Sequence, residues 1–473
     1  MGENQHYALW WIRGDLRLRD NRVLVDAHRA APGRILPIYV WSDRAFGRTP
    51  RGFPKTGPFR AQFQIDAVKN LEEALAEFGV RLLQYRGATE RALEAAAEQL
   101  RRAVHGTPDP LGSLAVFYQR EVFPEEQSEA TAVENALRRW GERHGVPVEY
   151  HPVDQQALYL PEDLPMPDTD IPWVYTHFRT AVEKRGTVRA PQSVPTLQPT
   201  VSTIAHLAAT EPFNYRPATA VLTGTAVPAR DPRSVAPDRG GESAAWDRVR
   251  EYIWEGDHLR RYKETRNGLI GSDYSSKFSP YLAHGCLSPR DVVAEVRRYE
   301  TERVRNRSTY WMVFELLWRD YYLYLARTVG AGLYRLTGPQ DRELPWRKDG
   351  EAFERWRLGT TGEPFVDANM RELLVTGFMS NRGRQVVASY LARDLTVPWT
   401  WGAEWFESQL VDYDPGSNWG NWSYTAGVGT DPRKDRYFNP HTQAERYDPN
   451  AEYRRLWLSA PGPFPGYVGR TRS

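Results

Sequence analysis

The hydrophobic period changes part-way along the chain, and this constrains the fold more than any other feature. Up to about residue 160, short continuous apolar runs recur: YALWWIR (7–13), RILPIYVW (34–41), RLLQYRG (81–87), LAVFYQREV (114–122) and VEYHPV (148–153). Between them lie stretches with helical spacing, such as RAQFQIDAVKNLEEALAEFG and ATERALEAAAEQLRRAVH. Strands that are apolar on both faces need cover on both faces, and the amphipathic helices supply it. The expectation is an α/β domain over 1–160 with a parallel, Rossmann-like sheet. The first strand leads into RGDLRLRD and not into G-x-G-x-x-G, which argues against a dinucleotide held on the usual fingerprint. From Ser243 onward, SAAWDRVREYIWEGDHLRRYKETR, SPRDVVAEVRRYETERV, STYWMVFELLWRDYYLYLART and VDANMRELLVTGFMSNRGRQVVASYLARDL carry apolar residues at i, i+3, i+4. This predicts an all-α domain over 241–473. Residues 161–240 keep no period and are rich in Pro, Thr and Ala, so they read as a long linker draped over the surface.

The chain has 473 residues, room for two or three domains at ~150 residues each. Its net charge of +2 does not demand a nucleic-acid partner but permits one through a local patch. The single cysteine, Cys286, rules out an internal disulfide and suits a reducing compartment. No apolar run approaches the ~20 residues of a membrane span, and no signal-like segment precedes Tyr7, so a cytoplasmic, bacterial protein is expected. Of the 17 tryptophans, 12 follow residue 240. They suit either a large aromatic core or a site for a planar ligand with redox-active indoles.

Four stretches could carry chemistry, each with a bland structural alternative. In ELLWRDYY, Glu315, Trp318, Arg319 and Tyr322 share one helix face: an ion-paired amphipathic helix, or a mixed stacking and hydrogen-bonding surface. In GFMSNRGRQVVASYL, Asn381, Arg384 and Gln385 share another: an exposed polar face, or a set able to read a base or flavin edge. Ser275, Ser276, Lys277 and Ser279 precede an apolar helix: an ordinary serine cap, or a diphosphate cradle at a helix N-terminus. VDYDPGSNWGNWSYTAGVGTDPRKDRYFNP (411–440) reads as a glycine-rich loop, in which an aspartate, Asp412 or Asp414, could face a partner such as Arg384 and Gly416, Gly420 and Gly427 allow close approach to a ligand.

Taken together and in this order, these stretches resemble the cryptochrome/photolyase family over nearly the whole chain. WWIRGDLRLRDN, GFPKTGPFRAQF, KETRNGLIGSDYSSKFSPYLAHGCLSPR, STYWMVFELLWRDYY, MSNRGRQVVASYLARDL and DPRKDRYFNPHTQAERYDPNAEYRRLW resemble its DASH branch closely. The resemblance implies an antenna domain followed by a helical domain that holds FAD. It implies FAD contacts from Tyr262, Ser275, Ser276, Lys277, Phe278, Ser279, Arg319, Arg384, Asp412, Tyr413, Asp414 and Asn418, the last facing flavin N5. It makes Trp422, Trp399 and Trp346 an electron relay, and Glu121 the holder of a 5,10-methenyltetrahydrofolate antenna. Arg266, Trp318, Asn381 and Arg382 match positions that contact DNA or an extruded lesion, and Glu315 matches a lesion-contacting carboxylate. No metal ligands are implied.

Two positions depart from the duplex-repairing members: Gln385 stands where they carry methionine, and Tyr424 where they carry a second tryptophan. A more polar pocket has less stacking energy to offset the unpairing of duplex DNA. The implied activity is therefore light-driven repair of cyclobutane pyrimidine dimers, preferentially in single-stranded DNA, by electron transfer from reduced FAD in a monomer. The alternative is a blue-light sensory protein that signals through flavin photoreduction, with undamaged DNA or RNA as possible partners. The short Pro/Gly-rich ending LSAPGPFPGYVGRTRS, where sensory relatives often carry a long tail, mildly favours the enzyme.

Overall fold

The computed structural model describes residues 5–433 and 436–459; the Pro/Gly-rich ending lies outside them apart from its first two residues. Five parallel strands, β1 (Gln5–Ile12), β2 (Ile35–Ser42), β3 (Leu83–Gly87), β4 (Leu111–Gln119) and β5 (Val148–Val153), form one sheet in the order β3-β2-β1-β4-β5. The helices α1 (Arg22–Ala30), α2 (Pro58–Glu77), α3 (Thr89–Val104) and α4 (Pro124–His144) cover it. The two-residue period of a strand sorts β1 into two cores. Tyr7, Leu9 and Trp11 pack with Leu93, Leu100 and Trp140 of α3 and α4. Ala8, Trp10 and Ile12 join a second core that includes Val23 and Phe63 and continues into the helical half.

The 161–240 segment is more ordered than its composition suggests. It contains α5 (Tyr175–Arg185), whose Phe178 and Val182 are buried, with Phe178 meeting Tyr321 and Tyr324 of the long Arg307–Val329 helix. Further on, the Gln84 amide donates to Phe213 O and the Tyr215 amide to Gln84 O, which extends the β3 edge. Rather than a continuous period, scattered apolar anchors docked on other elements hold this stretch in place.

The helical half is built as its period predicts, with breaks where backbone chemistry requires them. The 366–395 run divides into Pro364–Thr376 and Asn381–Ser389, with Gly377 between them at φ 67°. The 411–440 stretch is not wholly a loop: Pro415–Ala426 is a helix. The Asp414 carboxylate caps it by accepting from the Ser417 amide at 2.7 Å, Pro415 occupies its first turn, and Gly427 ends it at φ 80°. Its glycines serve packing. A Cβ on Gly420 would stand 2.1 Å from the Tyr322 ring, and one on Gly416 would meet Phe123 at 3.2 Å.

Polar contacts lock the two halves together. Arg290 pairs with Asp20 at 2.8 Å, both almost fully buried, and also donates to Ala157 O at 2.7 Å. Asp320 accepts the amides of Leu158 and Tyr159 at 2.9 Å each. Among the described residues, no helix is long and apolar enough to cross a membrane.

Candidate flavin and lesion site

Asp412 is the hub. Its carboxylate accepts from Ser279 Oγ at 2.6 Å and from Arg384 Nη2 at 2.8 and 2.9 Å, which joins three segments that are distant in sequence. Arg384 is itself aimed by its Nε donating to Met379 O at 2.9 Å. A charge-assisted pair shielded from water is a strong fixed element on which to seat a polar ring edge.

The 272–278 loop is the second element, and the residue that shapes it, Arg248, was missed at the sequence level. Its guanidinium donates to Ser276 O at 3.0 Å, Ser272 O at 3.2 Å and Ser275 O at 3.3 Å, drawing three carbonyls to one side. Lys277 sits at φ 59° and is buried, with Nζ donating to Ser275 Oγ at 3.0 Å and lying 3.1 Å over the Tyr274 ring. Burial pulls its ammonium well below the ordinary lysine range. The buried Tyr274 hydroxyl has no hydrogen-bond partner among the described residues. A buried ammonium and an orphaned phenol beside a serine-rich loop fit an anionic, oxygen-rich group such as the diphosphate of FAD. The following helix, Ser279–Ala283, is only five residues long, so its end field is weaker than the sequence reading expects and the polar character of this corner comes mainly from side chains.

Other expected flavin contacts fall into two groups. Asn418 Nδ2 donates to Ala403 O at 3.0 Å, which leaves its Oδ1 available. Arg319 donates to Gln156 O at 2.6 Å, and its buried Nε has no partner among the described residues. Tyr262 is buried edge-to-face with Tyr252 at 6.5 Å. By contrast, Phe278 is a core residue packed on Tyr252. Tyr413 turns away from Asp412: its hydroxyl accepts from Trp419 Nε1 at 3.2 Å and Arg60 lies 4.7 Å over its ring. Asp414 is spent as the helix cap.

The expected lesion residues gather on the long helix and its neighbours. Glu315 pairs with Arg266 at 2.7 Å; burial raises its carboxyl above the usual range, and Arg266 opposes that shift. Trp318 stacks on Tyr175 of α5 at 3.6 Å and 12°, so one of its faces is already covered by a residue from the presumed linker. Its ring meets Tyr424 edge-to-face at 6.0 Å. The Tyr424 hydroxyl accepts from Arg436 at 2.8 Å. Gln385 Oε1 is buried with no partner among the described residues, whereas Asn381 is exposed. Arg382 donates to Asn267 at 3.1 Å and Gln443 at 3.2 Å and lies over Tyr447.

Among the indoles, Trp422 is buried against Gly402, where an added Cβ would stand 2.2 Å from its Cη2. Trp399 is fully buried, donates to Leu336 O at 2.9 Å and meets Trp419 at 5.7 Å. Trp346 is half-buried. Trp356, one indole among many in the sequence, stands 6.0 Å from Trp422 and is a neighbour that spacing alone did not single out.

At the sheet, Glu121 accepts from Gln119 Nε2 at 3.0 Å and also from Gln156, and burial raises its carboxyl. The adjacent Glu126 is pushed up to about 8, first by burial and then by Glu121. Gln156 therefore touches Glu121 through its side chain and Arg319 through its carbonyl. An open groove of about 790 Å³ near α1 and β5 contains none of these residues.

Comparison with known proteins gives the family and the fold. The family described as DNA photolyase matches residues 8–198, and the FAD binding domain of DNA photolyase matches residues 311–466. A Cryptochrome DASH from Natronomonas pharaonis is 46% identical, covering 98% of this chain and 92% of its own. The Synechocystis Cryptochrome DASH is 44% identical over 97% of this chain and 88% of its own. The crystal structure of a Synechocystis cryptochrome superimposes with a TM-score of 0.87 at 43% identity, covering 97% of this chain and 90% of that one. A class III photolyase from Agrobacterium tumefaciens gives 0.75 at 27% identity, covering 97% and 88%. The shared sheet, helical half and motifs across nearly the full length place this chain in the cryptochrome/photolyase family, in its DASH cryptochrome branch.

Proposed function

We propose that this chain is a light-driven lyase that repairs cyclobutane pyrimidine dimers with a preference for single-stranded DNA, using FAD and a 5,10-methenyltetrahydrofolate antenna held at Glu121. The chemistry that FAD supplies when bound is one-electron donation to the dimer under blue or near-UV light, with return of the electron after ring opening. The protein's part is placement and polarity. Ser279, Asp412 and Arg384 hold a fixed polar edge, and the 272–278 loop offers the diphosphate seat. Glu315 and Arg266 present a preorganised hydrogen-bonding pair where charge develops on the lesion.

The observation that carries the single-strand preference is the wall of the lesion site. Gln385 presents an unpartnered buried oxygen, and Trp318 has one face covered by Tyr175. Stacking on an extruded base is worth about 1–3 kcal/mol, so losing part of it leaves less to offset the unpairing of a duplex. Illumination of the reduced protein with dimer-containing oligonucleotides tests this. Repair roughly tenfold faster or more on single strands is expected, and equal rates on duplex would overturn the preference. A second reading, light sensing through flavin photoreduction, is supported by the buried indoles Trp422 and Trp399. Photoreduction without dimer repair on either substrate would favour it.

A further inference from the structure

Glu372 is buried beside the flavin cradle and has no role in the reading above. It projects from the Pro364–Thr376 helix with 1% exposure. Its Oε2 lies 2.5 Å from the hydroxyl of Tyr453, which the C-terminal Glu452–Leu458 helix buries completely. The same hydroxyl lies 3.1 Å from Asn369 Oδ1. The orientation of that amide is settled, because Asn369 Nδ2 donates to Phe365 O at 2.7 Å. Tyr453 thus stands between two acceptor oxygens and owns one proton. Both contacts become hydrogen bonds only if Glu372 brings a second proton and donates to the phenol while the phenol donates to Asn369. The site is built to accept a dissociable proton.

The groups that face it come from each surrounding element. Lys277 and Tyr274 approach from the cradle loop, Arg384 from the Asn381–Ser389 helix and Tyr453 from the C-terminal helix; Arg248, Asp273 and Asp412 act on Lys277 or Tyr274. Burial pushes the Glu372 carboxyl up to about 7, with Tyr453, Lys277 and Arg384 opposing the shift. Without cofactor, the Glu372 carboxylate helps balance the buried Lys277 ammonium. A diphosphate seated on the loop brings its own negative charge to that ammonium, and a second buried anion then becomes costly.

We propose that Glu372 is a proton-linked positioning residue, taking up a proton from solvent when FAD binds, so that cofactor affinity depends on pH near neutrality through the Tyr453–Glu372–Lys277 connection. This rests on the reading that the 272–278 loop seats the FAD diphosphate. Proton uptake on binding means that affinity is highest at low pH and falls as pH rises. The limit for one proton is about tenfold per pH unit.

The test is the equilibrium FAD affinity of the full chain between pH 6 and 8.5, read by flavin fluorescence on dilution, with proton uptake followed by an indicator dye in weak buffer. Wild type is expected to weaken steadily as pH rises and to take up up to one proton per FAD. Glu372→Gln is neutral at every pH and should bind FAD with a flat profile and no uptake. Equal pH slopes in wild type and Glu372→Gln would overturn the proposal. Lys277→Ala with unchanged FAD affinity would instead overturn the diphosphate seat on which it rests.

Discussion

At the scale of single residues, the site depends on a few side chains whose neighbours fix what they can do. Trp422 is buried against Gly402 and Phe406, so its substitution by phenylalanine leaves a small, dry gap and should spare FAD binding. Transient absorption on Trp422→Phe should show the flavin retained and fast photoreduction lost; unimpaired photoreduction would direct attention to Trp356. Glu315 is held by Arg266, so Glu315→Ala leaves a partly buried guanidinium without its carboxylate and, on the proposed function, removes a donor or acceptor at the lesion. A drop of roughly tenfold or more in repair yield, with dimer binding weakened less, is the expected outcome, since such preorganised groups act most strongly where charge develops. The types and order of these residues made them legible as candidates in sequence. The covered face of Trp318 and the inward turn of Tyr413 were not, because both depend on which neighbour arrives from elsewhere in the chain.

At the scale of elements, caps and clamps decide local structure. The Pro415–Ala426 helix reads as a loop because Gly, Asn and Ser dominate it and intrinsic propensity is poor. Its signals were the Asp-Pro start and the Gly427 end, and tertiary packing of Trp419 and Trp422 overrides the weak propensity. Asp414→Ala removes the capping bond to Ser417 and should cost about 1 kcal/mol in chemical denaturation. Gly420→Ala should cost more, because the new methyl would enter the Tyr322 ring. Arg248 acts on a whole loop. Arg248→Ala frees three carbonyls and should weaken FAD retention about tenfold, the equivalent of about one lost charge-assisted hydrogen bond.

At the scale of the whole molecule, stability rests on the contacts between the sheet half and the helical half. Arg290→Ala would strand the buried Asp20 carboxylate and should destabilise the fold by about 3–5 kcal/mol. His284 bridges the halves as well: its Nε2 donates to Val411 O at 2.9 Å, beside the Asp412 hub, while the Leu16 amide reaches its carbonyl. Burial pushes its imidazole down to about 4. An unfolded histidine takes a proton near its ordinary value of 6.5, whereas the folded one resists until about 4. The contribution is therefore full above pH 6.5 and is lost as pH falls from 6.5 to 4, on the order of 3 kcal/mol in all. Denaturation midpoints across pH 4–7 should decline less in His284→Asn than in wild type.

By itself the sequence determined the two kinds of domain, since hydrophobic period is a local property carried by each segment. It also determined the family, since the motifs carry their own residue types in order. Only the tertiary structure decided which residues share a wall. Asp412 joins Ser279 and Arg384 across 133 and 28 positions, α5 from the presumed linker covers Trp318, and Tyr453 near the end of the chain meets Glu372. No spacing rule reaches that far, because such contacts are fixed by where whole helices dock and not by the period within any one of them.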